Sequence, residues 1–220
     1  MSADDDCTGN PWLAIPWQEY EGHMGSPSVG QLQMLSDVFS QVLREARPRT
    51  LAVLGCATGN GFEDIDTSVT RLVLGLDLNP NYLAVARRRF ASRVLGLHLV
   101  CADLARFELA PGSLDLVHAA LVLEYVEPTS LIRKAARWLR PGGRLAVLLQ
   151  LPSEHAGKVS ATPFASLRRL EGAMKLVEPT VVGTAASESG LVETRATTLV
   201  LDSGKSFFLA RYRALGGDTR

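Results

Sequence analysis

The sequence predicts an α/β fold: a three-layer sandwich with a mostly parallel, seven-stranded sheet that ends in an antiparallel hairpin, and helices on both faces. Three observations carry this. Short apolar runs alternate with helical segments of about ten residues, the rhythm of parallel strands joined by crossovers. The first run, 51–54, breaks into a turn with small residues at Gly55, Ala57, Gly59 and Gly61. The last two strand-like runs, 191–201 and 206–214, are separated only by Asp202-Ser203-Gly204-Lys205, a composition suited to a hairpin.

Taken in order, residues 1–10 are polar and acidic and are expected to fray. Residues 11–30 interleave Trp12, Trp17, Tyr20, His23 and Met24 with prolines and glycines, which suits either an ordered cover or an arm packed on the core. Residues 29–44 place Leu32, Leu35, Val38, Phe39, Val42 and Leu43 at helical spacing. The first strand follows at 51–54, and 62–70 is expected to begin a helix, with Glu63 and Asp64 suited to its first turn. The second strand is 72–76 with Asp77 at its end, and Asn79-Pro80 opens a helix over 81–90. The third strand is 97–101, followed by Asp103, and the fourth is 114–120. A helix over 128–139 stops at Arg140-Pro141-Gly142-Gly143 before the fifth strand at 144–149. Helical stretches are expected near 163–174 and 178–189. Two parts are expected: an N-terminal arm and helix over 1–45 that serves as a lid, and the α/β domain over 46–220.

Composition bounds the function. The chain has 220 residues, 46% hydrophobic and 21% charged, enough to bury a full core. Lys+Arg and Asp+Glu are 23 each, so no net positive field marks a nucleic-acid or anionic-membrane partner. No apolar run approaches the roughly 18 residues of a spanning helix. With the acidic start, this leads to the expectation of a soluble, cytoplasmic protein. Cys7, Cys56 and Cys101 are too scattered for a disulfide framework or a zinc site, and they read as small apolar residues; no metal is expected.

Ligands of open α/β sheets bind outside the carboxyl ends of the strands. At those ends stand the glycine turn, Asp77, Asp103 and the stretch 119–125. Bare backbone in the turn admits a polar ligand edge. A carboxylate after the second strand can accept both hydroxyls of a ribose, and one after the third can accept from the amine of an adenine. Each aspartate alone could simply cap a helix. As an ordered set they describe an adenosine-bearing ligand.

These motifs resemble those of class I S-adenosylmethionine-dependent methyltransferases of the small-molecule type. Val53-Leu54-Gly55-Cys56-Ala57-Thr58-Gly59 resembles the family's glycine-rich first motif, and Leu74-Gly75-Leu76-Asp77-Leu78-Asn79-Pro80 its acidic second one. Cys101-Ala102-Asp103-Leu104 is similar to the adenine-contacting motif, 114–126 to the stretch after strand four, and 139–143 to the turn before strand five. The likeness covers about 45–215. It implies S-adenosyl-L-methionine as cofactor, with S-adenosylhomocysteine as product. Gly55, Cys56, Ala57 and Gly59 would approach its methionine portion and ribose. Asp77 would bind the ribose hydroxyls, Leu78 would pack on the adenine, and Asp103 and the Leu104 N–H would meet its edge. Ala119 and Ala120 would lie near the sulfonium.

Two departures stand out. Many members carry an acid where Val53 stands, and Ala57 replaces the motif's middle glycine, which is expected to narrow the approach and favour φ < 0. The missing acid leaves the cofactor's amino group to another partner, for which Tyr20 or Glu19 of the arm are candidates. Methyl transfer is a displacement on an activated carbon, so a base is optional. Candidates are Glu124 and His23, with His118 better explained as a core residue. The implied partner is a small-molecule methyl acceptor with an O, N or C nucleophile, without nucleic acid or membrane, acted on by a monomer or homodimer. The alternatives are a non-catalytic cofactor-binding protein and a nucleic-acid or protein methyltransferase. A nucleotide-dependent dehydrogenase is disfavoured because the turn departs from G-x-G-x-x-G.

Overall fold

The computed structural model describes residues 9–153 and 157–216; the expectations for 1–8, Cys7 included, lie outside them. The sheet has seven strands in the order β3-β2-β1-β4-β5-β7-β6. They are β1 (Thr50–Leu54), β2 (Leu72–Asp77), β3 (Leu97–Cys101), β4 (Leu114–Ala120), β5 (Leu139–Gln150), β6 (Leu191–Val200) and β7 (Ser206–Ala214). The first five pair in parallel; β7 pairs antiparallel with β5 and with β6. The expected parallel sheet with a terminal hairpin is therefore present. Strand order reverses between β1 and β4, so the glycine turn after β1 stands at the crevice where such sheets bind ligands.

Five helices cover it: α1 (Trp17–Met24), α2 (Gln31–Ala46), α3 (Pro80–Phe90), α4 (Pro128–Trp138) and α5 (Pro179–Glu188). Their apolar stripes divide the core by the face of the sheet. Phe39 and Val42 of α2 pack with Leu83 and Phe90 of α3 against Leu51, Val53 and Val73. Leu131, Ile132 and Trp138 of α4 pack with Val182 and Ala185 of α5 against Ala52, Val117 and Leu145. The caps follow the sequence. Asn79 accepts from the Asn81 N–H with Pro80 in the first turn, and Glu127 accepts from the N–H groups of Thr129 and Ser130 ahead of α4.

Three expectations are corrected. No α-helix follows the glycine turn: Phe62–Asp64 forms a single 3-10 turn. Asp66 then accepts from both the N–H and the hydroxyl of Ser68 at 2.9 and 2.5 Å, a local closure that competes with helix propagation. Residues near 163–174 form a 3-10 turn, Ala165–Leu170, rather than a longer helix. Lastly, β5 begins at Leu139, because Leu139 already pairs with Leu114 before the register shifts around Leu116 and Arg144.

Candidate active site

A cleft with about 710 Å³ of empty space, part of it open to solvent, lies at the carboxyl ends of the parallel strands. Its floor is the glycine turn. Gly55 takes φ 67 and closes against Val122, whose Cγ2 a Cβ at 55 would meet at 3.0 Å. Ala57 takes φ 47, so the expected φ < 0 is corrected. Its N–H donates to Asp77 Oδ2 at 2.8 Å, which holds the strained residue in place.

Asp77 is the hinge of the site. Its other oxygen accepts from the Asn79 N–H at 2.8 Å. Burial pushes its pKa up to about 6, against the pull of these backbone donors. Each oxygen keeps a lone pair for a further donor. Asp103 accepts from the Ala105 N–H at 2.9 Å through Oδ1, and Oδ2 has no partner among the described residues. Leu78, Leu104 and Val126 supply apolar wall between the two carboxylates.

Gly55, Ala57, Asp77, Leu78, Asp103 and Leu104 thus line one cavity, as anticipated. Cys56, Gly59, Ala119 and Ala120 do not. Cys56 is buried against Gly75, Gly59 is pressed by Phe90 and Phe62, and the wall after β4 falls further on, at Leu121 and Val122. Leu121 takes φ 53, a backbone state that composition does not reveal. The lining also includes Tyr82 of α3, whose buried hydroxyl has no hydrogen-bond partner among the described residues, and Trp12 of the arm.

The arm is fastened over this cavity. Asn79 donates its side-chain amide to the Trp12 carbonyl at 2.9 Å, and the Trp12 ring meets Tyr125 edge-on at 5.0 Å. Tyr20 stacks on Tyr82 at 5.3 Å. Glu21 accepts from the Thr58 hydroxyl in the glycine turn at 2.5 Å and forms a two-point ion pair with Arg89. Glu19 points elsewhere, accepting from the Ser166 N–H at 3.1 Å.

A second cavity of about 450 Å³ adjoins the first and shares Trp12, Leu121 and Tyr125 with it. Tyr20 and His23 line this one rather than the first. His23 Nδ1 is 2.9 Å from the Thr162 hydroxyl, and burial, followed by the charge of Lys205, lowers its pKa, so the ring is neutral near pH 7. Glu124 lines neither cavity. It is buried behind the second one, where Oε1 accepts from the Gln150 N–H at 2.8 Å, and burial pushes it up to about 7. His118 packs against Phe39 inside the sheet, and burial pushes it down to about 4.

The sheet order with its terminal antiparallel hairpin is the Rossmann-like fold of solved methyltransferases. Residues 52–147 match the family model described as "Methyltransferase domain". The chain is 38% identical over 109 residues to trans-aconitate 2-methyltransferase of Methylobacterium nodulans, covering 49% of this chain and 40% of that protein. It is 35% identical over 92 residues to malonyl-[acyl-carrier protein] O-methyltransferase of a Marinomonas species, covering 41% and 34%. The chain spans less than half the length of these curated relatives. Among solved structures, N-methyltransferase NodS from Bradyrhizobium japonicum superposes with a TM-score of 0.60 at 23% identity, over 91% of this chain and 88% of that one. The [4+2]-cyclase SpnF does so with a TM-score of 0.65 at 15% identity, over 82% and 81%. Among the described residues no helix is long and apolar enough to cross a membrane, and no cluster of His, Cys, Asp and Glu could hold a metal.

Proposed function

We propose that the chain is an S-adenosylmethionine-dependent methyltransferase acting on a small-molecule acceptor. The observation that carries this is the pair of adjoining cavities, one with adenosine-type acceptors and one without. The first fits the cofactor by its donor set. Asp77 and Asp103 offer free acceptor sites for hydroxyl and amine protons, Leu78 and Leu104 offer apolar surface to a flat ring, and the Tyr82 hydroxyl has no partner among the described residues. Bare backbone at Gly55 leaves room for close approach. When bound, S-adenosylmethionine supplies an electrophilic methyl group. The methyltransferase names of the sequence relatives support this reading, as does the S-adenosyl-L-homocysteine complex of NodS.

In this reading the protein's work is alignment and exclusion of water. Trp12, Leu121 and Tyr125 form the boundary that donor and acceptor share. The arm with α1 acts as a lid, fastened through Glu21 and Asn79. His23, neutral and facing the second cavity, is the group able to take a proton from an acceptor, relayed toward Thr162. Glu124 holds the end of β5 instead. We place the reaction in the cytoplasm, carried out by a monomer or homodimer.

Isothermal titration with S-adenosylhomocysteine tests the assignment. Wild-type protein should bind it, and Asp77→Ala should weaken binding roughly tenfold or more through lost charge-assisted hydrogen bonds. Unchanged affinity in that variant would remove Asp77 from the ribose-binding role. The buried apolar Val53, in place of the family's acid, favours a second reading as a non-catalytic cofactor-binding protein. Tight binding of the homocysteine product, with no methyl acceptor found in a broad screen, would favour that reading.

A further inference from the structure

The second cavity carries a charge that the structure itself does not balance. Lys205 lies in the hairpin turn directly before β7 and is 1% exposed. Its ammonium donates to the Lys158 carbonyl at 2.9 Å and, at a long 3.5 Å, to Gln150 Oε1. Three N–H donors therefore meet two acceptors, one of them distant. Among the described residues no carboxylate lies within ion-pair distance of it. A buried cation without counter-charge is costly, and leaving water commonly requires a partner.

Its surroundings are arranged for an incoming partner. Gln150 donates its amide to the same Lys158 carbonyl at 3.0 Å, which turns its oxygen toward Lys205. The Lys158 ammonium faces away, bonded to the Met174 carbonyl at 2.9 Å. His23 is within electrostatic reach of Lys205 and lies on the same cavity. Much of the remaining wall is apolar, with Met24, Leu121, Leu167, Leu170 and Met174, interrupted by Gln31 and by the phenol rings of Tyr20 and Tyr125. Lys205, Gln150 and His23 line the second cavity and not the first, whereas Trp12, Leu121 and Tyr125 line both.

From this, and resting on the methyltransferase reading, we propose that the acceptor is a small amphipathic acid: a compact apolar body with one carboxylate, and that Lys205 receives this carboxylate. The accepting atom is then distinct from the carboxylate and lies at the boundary shared with the first cavity, so the methylated product remains an acid. A single buried ammonium suits a monoanion better than a phosphate dianion, whose second charge would find no second buried cation on this wall among the described residues. The largely apolar wall disfavours polyhydroxylated acceptors.

The test is binding, measured in protein saturated with S-adenosylhomocysteine. A panel of aryl- and alkyl-carboxylates from phenylacetate to octanoate is titrated beside the corresponding primary amides at pH 7. At least one acid should bind roughly tenfold or more tightly than its amide, the size expected of a hydrogen bond to a charged group. Lys205→Met should erase that preference and leave amide affinity unchanged; exchanging a buried charge for an apolar side chain of similar length is commonly tolerated by the fold. The proposal is overturned if no acid outbinds its amide in wild-type protein, or if Lys205→Met keeps the preference. Failure of S-adenosylhomocysteine itself to bind would instead overturn the methyltransferase reading.

Discussion

At Ala57 local strain coincides with a place in the lining of the first cavity. A side chain at φ 47 costs roughly 1–2 kcal/mol relative to a right-handed conformation, and the Asp77 carboxylate holds it there through the Ala57 N–H. Glycine would relieve the strain and give back part of the gain through the freer unfolded chain. Ala57→Gly should therefore raise stability by about 0.5–1 kcal/mol in urea unfolding. A lower midpoint would mean that the alanine methyl contributes packing which outweighs its strain. Asp77 and Asp103 were legible in the sequence as an ordered set at successive strand ends after the glycine turn, although each alone could serve as a local cap. Leu121 and Val122 were not, because their part in the wall depends on φ 53 at Leu121, which no side-chain pattern encodes. Glu124 misled for a related reason. Its position after β4 suits a base, but the side chain turns toward the Gln150 N–H at the end of the neighbouring strand.

At the scale of elements, periodicity was enough for α2 to α5, for the hairpin and for the strands apart from the early start of β5 at Leu139. It failed after β1, where Asp66 closes on Ser68 and the expected helix does not form. The space beside the glycine turn is taken instead by Phe39 of α2 and Phe90 of α3, which pack against Phe62. The aromatic residues of the arm marked it as an ordered segment, a cover or an arm packed on the core, but its fastening was not legible. Glu21, which belongs to no recognised motif, joins Thr58 of the turn to Arg89 of α3. With Glu21 and Arg89 partly exposed, solvent screens the pair, so its worth to global stability is about 1 kcal/mol or less. Its worth to local order is greater, since the arm has few other polar ties to the turn. Glu21→Ala should speed hydrogen exchange of the α1 amides roughly tenfold, with a melting temperature within a few degrees of wild type. Unchanged α1 exchange would assign the fastening to Asn79 and the aromatic contacts alone.

The whole molecule stores several ionisable groups in its interior, and their signs differ. Burial raises Glu124 from 4.5 to about 7 and Asp77 from 3.8 to about 6. A carboxyl group whose folded pKa lies above its unfolded value contributes stability that is full below the unfolded pKa and is lost as pH rises through the folded one. His118 runs the other way: lowered from 6.5 to about 4, its contribution is full above 6.5 and lost as pH falls toward 4. The wild-type profile is thus a composite, and one substitution isolates a part of it. Glu124→Gln keeps an oxygen for the Gln150 N–H and removes the titration, while Asp77 and His118 titrate equally in both proteins and cancel. At pH 5, where Glu124 is protonated when folded, the two proteins should be within about 1 kcal/mol of each other in urea unfolding. At pH 8 the wild type must bury a charge with Oε2 unpartnered, and the variant should be the more stable by about 3 kcal/mol. An equal difference at both pH values would show that the carboxyl group is solvated in the folded protein, and so open to the cavity from which the Gln150 contact withholds it.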